Sequence, residues 1–152
     1  MNIKSILAAV DFSDVTDAVV NAAETLALTF AAPVTFVHVE APDPAFVGYD
    51  PGPQHVRDNV AKTVIEDHQR IGEVRDRLKA DGVDCHGIIV QGPTIEKILD
   101  EADRVNADVI VIGSHGHGML YDLVLGSVSE GVTRKASCPV LVVPVPSRTT
   151  SA

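Results

Sequence analysis

Cysteine is scarce in this chain. Cys85 and Cys138 stand far apart and neither belongs to a CxxC pair, which argues against a disulfide framework and for two reduced, buried thiols. Basic residues are short too: 12 Lys and Arg face 21 Asp and Glu, for a net charge of −9. The part of nucleic-acid affinity that ignores sequence comes from cations neutralising phosphates, so no nucleic-acid partner is expected. No apolar run approaches the roughly 18 residues that a membrane helix needs. A basic N-terminal stretch followed by an apolar core is also missing, so the expectation is a cytoplasmic protein with no signal peptide and no membrane insertion.

What the chain does have is an alternation of apolar runs and helix-period segments. At 152 residues it suits a single domain, since a chain of about 150 residues buries about 70% of its unfolded surface. Ile3 to Val10 reads as a strand buried on both faces. Ser13 is placed to cap a helix whose apolar face is Val15, Val19, Ala22, Leu26 and Phe30. Pro33 to Val39 is a second strand. Residues 40–54 hold Pro42, Pro44, Gly48, Pro51, Gly52 and Pro53, which rule out regular structure and make a long connection, either a candidate lid or a solvated connector with no role. A long helix follows to about Asp81, striped by Val56, Val60, Val64, Ile71, Val74 and Leu78 and ended by Gly82. Cys85 to Val90 is a third strand. Pro93 opens a helix that turns Ile95, Ile98, Leu99 and Ala102 inward, and Asp108 to Ile112 is a fourth strand. A last helix runs from Ser127 to about Ala136 before a fifth strand, Pro139 to Val143. This order predicts an α/β fold: one open, twisted, five-stranded parallel sheet with helices on both faces, Rossmann-like. The domain is expected to span 1–146, with 147–152 a flexible C-terminal tail.

The chemistry concentrates after the fourth strand, in Gly113-Ser-His-Gly116-His-Gly-Met-Leu-Tyr-Asp-Leu-Val-Leu-Gly126-Ser127. Glycines bring backbone close to a ligand because they tolerate φ > 0 and carry no Cβ. A helix opening at Gly126-Ser127-Val128 offers N–H groups at the positive end of its dipole, which suits a phosphate. A P-loop begun at Gly113 would need Lys at 119, where Met stands; a dinucleotide fingerprint begun at Gly116 would need Gly or Ala at 121, where Tyr stands. What fits is Gly, two residues, Gly, nine residues, Gly-Ser, as Gly113, Gly116, Gly126 and Ser127.

With that pattern the chain from Ile3 to Val143 resembles the universal stress protein family in its nucleotide-binding branch. The resemblance implies the strand order 3-2-1-4-5. Ligands in such sheets bind beyond the carboxyl ends of the strands where the order reverses, here between strands one and four. It implies ATP as the ligand, with Mg²⁺ held through the phosphates. Asp11, in Val-Asp-Phe-Ser, matches the place of the family's nucleoside-binding Asp, and Val39, in His-Val, the backbone group that meets adenine. Ala9 stands where relatives often have Pro. Ile112 and Gly113 close strand four, phosphates belong at Gly116 and at Gly126, Ser127 and Val128, and His117 lies where some relatives have Lys or Arg. Relatives commonly dimerise through the fifth strand, whose bare edge is otherwise a liability, so a homodimer is expected.

A catalytic set is missing. His115 and His117 invite a metal or catalytic reading, yet no third ligand stands at a recognisable zinc spacing. His38, His55, His68 and His86 read as ordinary surface or strand-flank residues. A phosphorelay receiver would need an acceptor Asp after strand three and a Lys after strand five, where the chain has Gln91-Gly92 and Pro144-Val145. An ATP-cleaving ligase of similar architecture would carry Ser-Gly-Gly after strand one, and Asp11-Phe-Ser-Asp does not supply it. The expectation is a nucleotide-binding regulatory protein with at most slow hydrolysis. A genuine ATPase or phosphotransferase and a ligand-free interaction module are the alternatives.

Overall fold

A computed structural model of the chain describes residues 1–40, 54–115 and 125–144. The elements run β1 (Ile6–Ala9), α1 (Thr16–Phe30), β2 (Val34–Glu40), α2 (Gln54–Ala80), β3 (Cys85–Gln91), α3 (Thr94–Arg104), β4 (Val109–Gly113), α4 (Ser127–Lys135) and β5 (Val140–Val143). The five strands form one parallel sheet in the order β3-β2-β1-β4-β5, as expected. β1 is central, with Ile6 to Ala9 in register with Val34 to Val37 on one side and Ile6 to Ala8 with Val109 to Val111 on the other. Such a strand meets no water on either face, which is why its residues are all apolar.

Alternation along the strands sends side chains into two cores. Ile6, Ala8, Phe36, Val109 and Val111 join α1 and the last turns of α2 on one face. Leu7, Val37, Ile110 and Ile112 join α3 and α4 on the other. At about 25 cal/mol per Å² of apolar surface removed from water, the fully buried Phe36, Ile6, Leu7 and Leu78 each contribute about 1.5–3 kcal/mol.

Several local expectations shift. The buried stripe of α1 is Thr16, Val19, Val20, Ala23 and Ala27, while Phe30 is exposed. Small alanines let the helix lie close on the sheet, so its contact face falls one residue away from the face marked by the larger side chains. Ser13 does not cap α1 with its side chain; its hydroxyl donates to Asp11 Oδ1, and its carbonyl accepts from Thr16 N at 3.0 Å. Ala31 closes α1 in the left-handed region (φ 52), whereas Gly82 takes φ 86 after α2 as its residue type permits. On α2 only Asp67, Ile71 and Leu78 are buried among the described side chains. Cys85 is buried and Cys138 half-buried; burial raises both thiols above their ordinary pKa. The proposed lid, apart from residues 40 and 54, and the proposed tail lie outside the described residues. So does the side chain of Val56.

Candidate functional site

β1 and β4 are neighbours in the sheet, yet their onward connections leave toward opposite faces, α1 to one core and α4 to the other. The chain therefore parts above their carboxyl ends, and there lies a cavity of about 350 Å³. That is within the usual range of small-molecule sites.

Eight of the ten residues singled out in the sequence line this cavity. Ala9 and Asp11 come from the end of β1, Val39 from β2, and Ile112 and Gly113 from β4. Gly126, Ser127 and Val128 come from the start of α4. Gly116 and His117 lie outside the described residues. Val37, Val39 and Ile98 supply an apolar wall on the β2 and α3 side, and Thr94, first residue of α3, stands at its rim.

The carboxylate of Asp11 is held by the turn that follows it. Its Oδ1 accepts the Ser13 N–H at 3.0 Å as well as the Ser13 hydroxyl, a local pattern that Asp adopts readily in place of helix. Phe12 between them takes φ 58, a conformation in which few large residues are found. Its ring packs on the imidazole of His38, with centroids 4.7 Å apart, and the Arg70 guanidinium lies 5.5 Å from the Phe12 centroid, within cation–π range.

His38 is not the strand-flank residue expected from the sequence. It is buried, with Nδ1 2.9 Å from the Val10 carbonyl oxygen and Nε2 3.2 Å from Asp67 Oδ2. Asp67 is itself buried, and burying either group alone would be costly. The pair ties α2 to the residue just before Asp11. One signal was present: a His in the unbroken strand Val34–Glu40 has apolar neighbours on both sides and must find a polar partner elsewhere in the chain.

The two described glycines of the motif, Gly113 and Gly126, serve close packing rather than unusual φ. A Cβ on Gly113 would stand 2.4 Å from Val15 Cγ1, and Val is too stiff at χ1 to move aside. Gly126 has φ −61, and a Cβ there would meet the Ser114 carbonyl oxygen at 3.3 Å. Its own N–H is already used, donating to that same oxygen at 2.8 Å. Ser129 Oγ donates to it as well, at 2.9 Å. Ser114 thus locks the β4 exit to the first turn of α4, and the N–H groups of Ser127 and Val128 are left as the helix donors at the cavity. The Ser114 hydroxyl in turn lies 2.8 Å from His115 Nδ1.

Two titratable side chains line the cavity among the described residues, Asp11 and His115. No group of three His, Cys, Asp or Glu side chains suited to a metal occurs among the described residues, and no helix there is long and apolar enough to cross a membrane. The site can therefore offer backbone N–H groups and hydroxyls to an anion, a carboxylate to hydroxyl groups, and an apolar wall to a flat ring.

Comparison with known proteins identifies relatives of this fold. Universal stress protein YxiE of Bacillus subtilis is 32% identical over 142 residues, which span 90% of this chain and 96% of YxiE. The solved structure of protein MJ0577, from Methanocaldococcus jannaschii, matches with a TM-score of 0.78 at 27% identity, covering 95% of this chain and 97% of its own. A universal stress protein of Archaeoglobus fulgidus solved in complex with dAMP has the same fold, with a TM-score of 0.68 at 24% identity over 94% of this chain and 99% of its own. The profile of the universal stress protein family matches residues 2–144, nearly all of a chain already seen to fold as β3-β2-β1-β4-β5 around one switch-point cavity, and the chain belongs to that family.

Proposed function

We propose that this chain is an ATP-binding regulatory protein, with Mg²⁺ carried on the phosphates rather than by protein ligands and with at most slow hydrolysis. The observation that carries the reading is the convergence of an apolar wall, a carboxylate and a helix N-terminus on one cavity of about 350 Å³. Adenine lies against Val39 and its apolar neighbours, and Asp11 accepts hydrogen bonds from the ribose hydroxyls. The phosphates take the N–H groups at the start of α4 and the Ser127 hydroxyl, with the positive end of the helix dipole behind them. The relative from A. fulgidus shows that the fold accommodates an adenine nucleotide. The protein acts in the cytoplasm, without nucleic acid.

Ser127 tests the phosphate end. Ser127→Ala removes one hydroxyl and leaves the backbone donors, so ATP affinity falls about ten- to a hundredfold, the worth of one hydrogen bond to a charged group. Ser127→Glu sets a negative charge where the anion must sit and abolishes binding. An acid in the first turn suits the helix dipole, so the unliganded melting curve stays unchanged. A folded Ser127→Glu protein with wild-type ATP affinity, measured by calorimetric titration, places the phosphates elsewhere.

Assembly follows from the sheet edge. β5 is an edge strand of four apolar residues with Leu141 exposed, and pairing with a second copy about a two-fold axis covers it. Light scattering is expected to give twice the 16.1 kDa chain mass at tens of micromolar; the mass of a single chain contradicts the dimer.

A further inference from the structure

Two polar atoms in the cavity wall are buried and unpaired. Among the described residues Thr16 Oγ1 and His115 Nε2 have no hydrogen-bond partner, and both residues line the cavity. Thr16 is only 8% exposed. The third such atom among the described residues, Glu40 Oε1, belongs to a residue that does not line it. A buried polar atom without a partner lowers stability, and native structures hold few of them. Two in one cavity are places where a ligand can complete the bonding.

The chemistry of the missing partner follows from the bonds already made. Ser114 Oγ lies 2.8 Å from His115 Nδ1; with the hydroxyl donating to Nδ1, the neutral ring carries its hydrogen on Nε2. Nε2 is then a donor seeking an acceptor, and the Thr16 hydroxyl can donate beside it. Thr16 is the first residue of α1, where the helix dipole favours negative charge. The two residues also stand between the parts of the site already described. Thr16 follows directly on the Asp11–Ser13 turn through its N–H to the Ser13 carbonyl. His115 abuts the other end, since its Cα lies 3.6 Å from where a Cβ on Gly126 would be. Val15 bridges the two elements by packing against Gly113.

We propose that Thr16 and His115 form a second anion contact that holds the phosphate adjoining the ribose, between the start of α1 and the start of α4. This rests on the nucleotide reading above and deepens it: the site distinguishes a nucleotide from a nucleoside through α1 and the β4 exit as well as through α4.

The test is a set of calorimetric titrations of the full chain with ATP, AMP and adenosine, alongside melting curves without ligand. Thr16→Val keeps the shape and removes the hydroxyl. His115→Asn keeps a polar atom near Ser114 and removes Nε2. Each variant is expected to lose about ten- to a hundredfold in affinity for ATP and for AMP, with adenosine affinity unchanged. Thr16→Ser should retain wild-type affinity. Because Thr16→Val removes an unpaired buried hydroxyl, its melting temperature without ligand should equal or exceed that of the wild type, an effect that a structural hydroxyl would not give. Variants that bind AMP as the wild type does, while Ser127→Glu does not bind ATP, overturn this contact and leave the nucleotide reading intact. A lowered unliganded melting temperature with equal losses for adenosine and AMP also overturns it, as a structural role. A wild-type protein that binds none of the three ligands overturns the nucleotide reading and this contact together.

Discussion

The two ends of the sheet treat their polar groups in opposite ways. At the amino end, where β1 and β4 begin, Asp108 Oδ2 accepts the N–H groups of Lys4 and Ser5 at 2.7 and 3.1 Å, and the Ser5 hydroxyl donates to the Val105 carbonyl at 2.9 Å. These bonds join segments about a hundred residues apart, and none of the atoms involved faces the cavity. At the carboxyl end, Thr16 Oγ1 and His115 Nε2 are buried without a partner among the described residues. A parallel sheet has both ends to close, and here the one that closes on itself serves stability while the other keeps its donors for something that is not protein. Glycines serve two purposes in the molecule, and Gly92, after the carboxyl end of β3, shares a positive φ (142) with Gly82. Gly82 supplies a left-handed turn at the amino end, while Gly113 and Gly126 near the cavity have no positive φ and are small so that α1 and the Ser114 carbonyl can approach.

Variants at the two ends should separate stability from binding. The largest effect is Ser127→Glu at the carboxyl end, which removes ATP binding and spares the fold. Next come the losses of about tenfold or more for Thr16→Val and His115→Asn, again without loss of unliganded stability. The amino end should behave in reverse. Asp108→Ala leaves two backbone N–H groups without their charged acceptor and should lower unfolding free energy by about 2–3 kcal/mol, and Ser5→Ala should lower it by about 1 kcal/mol. Urea titration measures both, and calorimetry should find ATP affinity unchanged in each. An amino-end variant that weakens ATP binding as much as Thr16→Val would erase the distinction between the ends.

How much of this was legible in the sequence depends on whether the signal was local. The strands announced themselves because β1 and β4 are buried on both faces and so read as unbroken apolar runs, while β2 is apolar apart from Thr35, His38 and Glu40. The motif from Gly113 to Ser127 was legible because its spacing is set by one exit loop and one helix start. The face of α1 was read correctly at Val15 and Val19, both buried, and misread toward its end because Leu26 and Phe30 are larger than Ala23 and Ala27, yet the alanines are what the close approach to the sheet buries. Ser13 was given to the helix when its hydroxyl belongs to Asp11, a competition between turn and cap that composition does not settle. The His38–Asp67 pair joins residues far apart in sequence, from a strand and a helix, and no periodicity records such a contact. The role of Gly126 was read as a phosphate donor, but its N–H is committed to Ser114, a residue twelve positions earlier whose carbonyl position depends on the whole β4 exit. Thr16 passed unnoticed because a hydroxyl residue at a helix start is ordinary; only its burial without a partner sets it apart.

The central claim is that the cavity above β1 and β4 takes an adenine nucleotide, and it is tested most directly by titrating ATP with Mg²⁺ into the purified, nucleotide-free wild-type chain by isothermal calorimetry. The account predicts saturable binding tighter than millimolar, at one ATP per chain. No heat, or an affinity weaker than millimolar for ATP and likewise for ADP and AMP, would contradict it.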